Sequence, residues 1–122
     1  MNLANIAVLG SQALLGLVGL GAGGAKVTHQ DDQIEAFQRY GYPQWVRILT
    51  GVLELGAGIG LLVGLLWRPE LSVVSGLLLS GVMGGAMVTH LRIGDPPSKT
   101  AVPAVILALT VALLAYRYVT PL

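Results

Sequence analysis

Three titratable side chains stand out because each lies within or beside a long apolar stretch of this 122-residue chain: Lys26, Glu54 and His90. A carboxylic acid in such a stretch is costly unless it has a partner, and a nearby lysine or histidine would supply one. An acid, an amine and an imidazole in one pocket can hold a polar head group, bind a quinone carbonyl or exchange protons. The alternative role is structural, since a paired acid and base can also join two membrane helices.

The composition indicates what kind of element carries these residues. Hydrophobic residues make up 54% of the chain and charged residues only 11%, against about 25% charged residues in soluble domains. Long apolar runs rich in glycine are typical of membrane helices. A net charge of +1 without a basic patch excludes nucleic-acid binding, and the lack of cysteine excludes thiolate metal sites and dithiol chemistry.

Four apolar runs are long enough to cross a bilayer core of about 30 Å. They are residues 3–25, 45–67, 71–91 and 100–118. Their short connections predict an all-α integral membrane four-helix bundle, up-down-up-down, in a single domain covering residues 1–122. The first run lacks a basic leader and is longer than the apolar part of a secretion signal, so we expect an uncleaved span. We expect Pro103 in the first turn of the fourth helix, where proline is tolerated.

The polar segment 27–44 separates the first two spans and predicts a short interfacial helix over residues 32–40. Asp31 or Asp32 would cap this helix, and Gly41 would end it. Its apolar positions form one narrow stripe: Ile34, Phe37 and Tyr40. Such a stripe indicates a helix lying on the membrane surface, or alternatively a lid over a cavity.

The second span presents one unusual face, because Arg47, Gly51, Glu54 and Gly58 follow one another at steps of four, three and four residues. Glu54 lies about nine residues inside Trp45, or roughly 13 Å, close to the middle of the membrane.

In an up-down-up-down bundle, Lys26, Glu54 and His90 belong to the same leaflet. A lysine stem can reach roughly 6 Å, so a Lys26–Glu54 pair is feasible, and Arg47 is a competing partner for the acid. We therefore predict an intramembrane polar pocket around these three residues, with candidate supporting residues Gln12, Arg47 and Arg92.

Other kinds of site find little support. His29 and His90 have no carboxylate at a spacing typical of metal ligands, so no metal site is predicted. The glycines follow no strand and are not phosphate loops. No nucleophile–base pair is visible, so the sequence holds no self-contained catalytic motif and leaves open whether the protein is an enzyme. If it is one, a membrane oxidoreductase subunit is the expected form.

Three segments together resemble the DoxX-like family of small four-span membrane proteins: Ala22-Gly-Gly-Ala-Lys26, Phe37 to Leu55 with its Gly-Val-Leu-Glu54, and Met83-Gly-Gly-Ala-Met-Val-Thr-His90. The family pattern places a lysine, a glutamate and a histidine where Lys26, Glu54 and His90 stand. The resemblance implies membrane proteins linked to quinone-related or sulfur oxidation, to oxidative-stress complexes or to membrane-protein assembly.

These observations lead us to expect an accessory or scaffold subunit whose pocket accepts a lipid-like or quinone-like ligand, with no cofactor of its own in the chain. One alternative is a quinone-interacting component of a membrane oxidoreductase assembly, and another is a small proton-coupled transporter. The expected partners are the lipid bilayer and either other subunits or further copies of the chain. The distribution of lysine and arginine predicts that the two longer loops, after spans one and three, face the cytoplasm and that both termini lie on the outer side of the membrane, with the bacterial inner membrane as the expected location.

Overall fold

The computed structural model describes residues 2–119, which form five α-helices. They are α1 Leu3–Val27, α2 Asp31–Tyr40, α3 Gln44–Leu66, α4 Glu70–Arg92 and α5 Pro97–Val119. Four of them, all except α2, are long and apolar enough to cross a membrane. The predicted all-α four-helix bundle with a short additional helix is confirmed, and residues 2–119 contain no strand.

The four long helices pack in chain order, with α1 against α3, α3 against α4, and α4 against α5. Helices α1 and α5 meet more loosely and close the bundle. Six buried apolar side chains from the four long helices form the core: Leu15, Ala57, Leu61, Leu79, Met83 and Leu113. Many of the other apolar side chains face outward, as expected when lipid rather than water surrounds a bundle.

Glycines bring the backbones of α1 and α3 into close contact. A Cβ atom added at Gly23 would lie 2.6 Å from the carbonyl oxygen of Gly51, and one at Gly19 would lie 2.8 Å from the carbonyl oxygen of Glu54. Gly58 lies equally close to the backbone of α1. Because lipid tails are as apolar as the helix surfaces, close backbone packing of this kind is a main source of helix association in membranes.

Helices α3 and α4 make their closest contacts near the turn that joins them. There, Gly60 and Gly64 of α3 face Ser75 and Ser72 of α4, and an added Cβ at either glycine would collide with a serine. Toward its other end, the same side of α3 carries Leu53, Thr50 and Val46, which border a cavity. The two helices therefore enclose space at the end covered by α2.

Two local predictions were wrong. The N-cap of α2 is Gln30, and Asp31 and Asp32 lie in the first turn, where their charges favour the positive end of the helix dipole. Helix α5 begins at Pro97, whose fixed φ suits the first helical position. As a result, Pro103 lies inside α5 rather than in its first turn, and the carbonyl one turn earlier lacks its usual N–H donor.

The glycine packing predicts that alanine substitutions at neighbouring positions of α1 differ in their effect on the free energy of unfolding. We expect Gly19→Ala and Gly23→Ala to lower the free energy of unfolding by about 1–3 kcal/mol, because the added methyl group forces the two backbones apart. Titration with sodium dodecyl sulfate in mixed micelles, followed by circular dichroism, would measure this change.

Gly21→Ala is the matched control, since no atom lies within 4 Å of a Cβ added there. It should be as stable as the unmodified chain or slightly more stable, because alanine is a better helix former than glycine by about 1 kcal/mol. Equal destabilisation by all three substitutions would contradict the role given to the α1–α3 contact.

Candidate functional site

An ion pair joins the last turn of α1 to the middle of α3. Lys26 Nζ lies 2.8 Å from Glu54 Oε1, and the side chains are 17% and 1% exposed. The glutamate is thus shielded, whereas the lysine retains some access to its surroundings. This pairing provides the partner that an acid at this depth requires.

The spacing of residues on α3 explains how the lysine reaches the acid. A Cβ at Gly51 would lie only 2.8 Å from Lys26 Cβ, so the glycine provides the room through which the lysine stem passes. Glu54 follows three residues later on the same face of α3. The face predicted from sequence is therefore the surface that α3 presents to α1.

Arg47 lies on that face too, but its guanidinium binds the end of α1 rather than Glu54. It is 1% exposed and donates hydrogen bonds to the carbonyl oxygen of Lys26 and to Gln44 Oε1, the latter at 2.6 Å. A cation at this position compensates both an unpaired carbonyl and the negative end of the α1 dipole. Arg47 thereby fixes the backbone from which Lys26 extends.

His90 lies at the other side of the site, in the last turn of α4, and its partner is Asp95. Its Nδ1 lies 2.5 Å from Asp95 Oδ2. The second oxygen of this carboxylate accepts a hydrogen bond from Arg39 of α2. The positive φ of Gly94, 73°, allows the loop to turn back so that the carboxylate reaches the ring.

The electrostatic surroundings of Asp95 decide the role of each nitrogen of His90. The hydrogen bond from His90 and the guanidinium of Arg39 hold the pKa of Asp95 below its ordinary range. An ionised carboxylate only accepts hydrogen bonds, so Nδ1 of His90 must donate to it. This leaves Nε2 as the nitrogen of His90 available for other contacts.

A cavity of about 710 Å³ connects these features. Lys26, Glu54 and His90 all border it, together with the hydroxyl-bearing Thr50 and Thr89. Apolar side chains of α3 and α4 supply the rest of these walls, including Leu53, Leu77, Leu78 and Val82. The three residues predicted from sequence are thus brought to one cavity, although the ion pair and the His90–Asp95 pair remain separate.

Helix α2 and the segment after it cover the cavity through Gln33, Phe37, Tyr40 and Tyr42. Phe37 is buried, and the three aromatic rings contact one another with centroids 5.1–6.4 Å apart. We call this cover, residues 31–42, the roof.

Polar contacts fasten the roof to α4 and to the loop after it. Tyr42 Oη lies 2.9 Å from Thr89 Oγ1, and Arg39 pairs with Asp95. Arg92 donates a hydrogen bond of 2.6 Å to the carbonyl oxygen of Tyr40. Arg92, a candidate supporting residue of the pocket, is thus a residue that holds the roof in place.

Gln12, the remaining supporting candidate, lies elsewhere. Its Nε2 donates to the Leu61 carbonyl oxygen and to Ser72 Oγ, both at 2.7 Å, and its Oε1 accepts a hydrogen bond from Arg117. Fourteen residues of helix, roughly 21 Å, separate it from Lys26. Gln12 therefore belongs to a second polar cluster at the opposite end of the bundle.

Comparison with known proteins agrees with this architecture. The sequence profile of the DoxX-like family matches residues 10–113, a range that holds Lys26, Glu54, His90 and Asp95. The chain belongs to the DoxX-like family. Family membership and the four apolar helices together make it an integral membrane protein.

A relative of this DoxX-like protein occurs in Bacillus subtilis (strain 168). It is described as the uncharacterized protein YdgD and is 31% identical over 72 residues, which is 59% of the present chain and 62% of the relative. The match thus spans less than two thirds of the relative's length. No solved structure shows significant similarity to the chain.

Sequence reasoning on this DoxX-like protein missed Asp95, Thr89 and Tyr42. For Asp95 a signal existed, since an acid five residues after His90 and directly after a glycine can fold back onto the end of a helix. No comparable signal joins Tyr42 to Thr89, because they are 47 residues apart and meet only when α2 lies across α4.

The Lys26–Glu54 pair predicts strong coupling between the two positions. Glu54→Leu alone should lower the free energy of unfolding by about 2–4 kcal/mol, because it leaves Lys26 unpaired at the edge of an apolar region. The Lys26→Met/Glu54→Leu double variant should recover most of that loss, since apolar side chains can replace a buried ion pair at little cost. A double-mutant cycle of unfolding in mixed micelles measures the coupling, and additive losses would contradict the pairing.

The depressed pKa of Asp95 predicts a pH dependence of the roof. Stabilisation from a lowered carboxyl pKa is fully present above the unfolded value of about 3.9 and disappears as the pH falls through the folded value. Protection of the α2 amides against hydrogen exchange, measured relative to the intrinsic exchange rate at each pH, should therefore fall below about pH 4 in the unmodified chain. Asp95→Asn should show faster exchange already at neutral pH and lack this transition.

Asp32→Asn is the control for this pH dependence, because Asp32 is an exposed acid on α2 that contributes to none of the contacts with α4. It should retain the transition of the unmodified chain. A transition that persists in Asp95→Asn would assign it to another acid.

Proposed function

We propose that this DoxX-like protein is an accessory membrane subunit that holds a lipid-like or quinone-like amphiphile in the cavity between α3 and α4. The observation that carries the proposal is that the cavity walls combine polar side chains, Lys26, Glu54 and His90, with apolar ones. A volume of about 710 Å³ lies within the range of small-molecule sites, about 300–1,000 Å³. Walls of this kind suit a molecule with a compact polar head and an apolar tail.

The depth of the polar groups supports an amphiphile over a water-soluble ligand. Glu54 lies near the middle of α3, so a head group that reaches it must enter the apolar thickness of the membrane. Such a head group gains hydrogen bonds from the walls that lipid tails do not offer. The free energy of those bonds favours the cavity over the surrounding bilayer.

The chemistry of the chain supports an accessory role over an independent catalytic one. The sequence contains no cysteine and no recognisable cofactor motif. A protein of this kind would store, position or transfer the amphiphile for a partner subunit or for another copy of itself.

A second candidate function is a quinone-interacting component of an oxidoreductase assembly, and the His90–Asp95 pair favours it. The pair lies between the cavity and the loop at the membrane surface, so it would allow protons to pass between a bound quinone and water. Electrons would come from a partner subunit. Glu54 is meanwhile paired with Lys26 at 2.8 Å, whereas the acid of a proton-coupled transporter has to be free of such a partner, which argues against that function.

The proposal predicts a bound amphiphile. Protein purified in a mild detergent should carry it in about a one-to-one ratio, detectable by mass spectrometry of the intact complex and of its organic extract. The Ala86→Phe substitution, which fills part of the cavity wall, should reduce the bound fraction at least about tenfold, since filled space excludes the ligand.

Ala108→Phe is the matched control, because Ala108 is exposed on α5 and does not border the cavity. It should leave the bound fraction unchanged. If the unmodified protein carries no amphiphile and binds decylbenzoquinone in phosphatidylcholine nanodiscs no better than empty nanodiscs do, the proposal fails. Saturable binding of decylbenzoquinone that His90→Asn abolishes would favour the second candidate.

A further inference from the structure

We propose that the cavity takes from the bilayer a neutral amphiphile whose hydroxyl group donates a hydrogen bond to Glu54 and whose tail passes outward between α3 and α4. This inference rests on the proposed function and specifies both the chemistry of the head group and the route of the tail.

The need for a hydrogen-bond donor comes from Glu54 itself. The side chain is 1% exposed and borders the cavity, and Lys26 Nζ, 2.8 Å from Oε1, is the only hydrogen-bond donor found beside its carboxylate among residues 2–119. A carboxylate has about four acceptor positions, so most of them are unused. Buried acceptors without donors are costly, and a hydroxyl group in the cavity would remove that cost.

The charges around the cavity argue that this donor is neutral. Lys26 compensates Glu54, and Arg39 compensates Asp95. An ammonium or phosphate head group would add a charge to walls that are already balanced, in a region where an unpaired charge is expensive. A hydroxyl group, by contrast, donates to the carboxylate without disturbing either ion pair.

The route of the tail follows from the exposed edge of the cavity wall on α4. Leu77, Gly81 and Gly85 border the cavity and are also exposed on the outer surface of the bundle. No atom lies within 4 Å of a Cβ added at either glycine, so no other helix covers this edge of the cavity, which we call the portal. Because α4 is a membrane-spanning helix, the portal faces lipid tails rather than water.

The roof closes the alternative route from the aqueous side. Arg39, Tyr42 and Arg92 each take part in a polar contact between the roof and the end of α4 or its loop. A ligand arriving from water would have to break these contacts, whereas a ligand arriving from the bilayer through the portal leaves them intact.

Two probes that differ only in the donor test the head group: dodecylphenol and its methyl ether dodecylanisole. In phosphatidylcholine nanodiscs, the full chain should bind the phenol about 10- to 100-fold more tightly, as expected for a hydrogen bond to a charged group. In the Lys26→Met/Glu54→Leu variant, which removes both charges together, this ratio should fall to within about threefold of unity. Equal binding of the two probes to the unmodified chain overturns the inference while leaving the proposed function in place.

Two further measurements test the portal. A dodecylphenol with a photoreactive diazirine at the end of its tail should label the α4 surface around Leu77 and Gly81. The Gly85→Leu substitution should weaken phenol binding at least about tenfold by narrowing the portal. Gly84→Leu is the control, because Gly84 has equally open surroundings but does not border the cavity, and it should bind normally.

The remaining outcomes are also decisive. Labelling confined to the roof would mean access from water, and labelling blocked by a second copy of the chain would mean that the portal is a protein contact. Either result overturns the proposed route. If neither probe binds to the unmodified chain, the proposed function fails together with this inference.

Discussion

The ion pair between Lys26 and Glu54 is the constraint on which the rest of the site depends. An acid near mid-membrane is tolerated only with a partner, and Lys26 can serve because α1 and α3 approach each other through glycines. Gly51 leaves room for the Lys26 side chain to reach Glu54. Arg47 binds the carbonyl oxygen of Lys26 and so fixes the end of α1. Pairing and close packing therefore support each other: larger side chains at the crossing would separate the charges, and an unpaired acid would weaken the crossing.

Side-chain size also determines how α3 and α4 pack, and here the packing differs between the two ends of the bundle. Near their turn, α3 and α4 pack tightly through glycines and serines. Toward the roof, larger side chains on α3 and open glycines on α4 border a cavity. The bundle thus has a tightly packed end and an open end, and Glu54 lies where the two meet. At the open end, Lys26, Glu54 and His90 all border one cavity.

The roof fits the second of the two roles that the sequence left open for α2, a cover over a cavity. Helix α2 has an apolar stripe suited to the membrane surface, and the same stripe, through Phe37 and Tyr40, covers the cavity. The polar contacts of Arg39, Tyr42 and Arg92 hold the roof to α4 and to the loop after it. In this arrangement Asp95 binds Nδ1 of His90 and leaves Nε2 available to the cavity, so the loop after α4 acts on the cavity through His90.

The sequence by itself determined the fold class, because long apolar runs and polar breaks are local features that fix which segments can lie in lipid. It also placed Lys26, Glu54 and His90 in one leaflet, since antiparallel order follows from short connections. Only the tertiary structure decided which base pairs with Glu54, that Arg47 binds a helix end instead, and that Gln12 belongs to a separate cluster. Asp95, Thr89 and Tyr42 likewise acquire their partners only there. These choices depend on how closely the backbones approach and how each helix is rotated, and helical periodicity along one segment contains no information about the rotation of its neighbour.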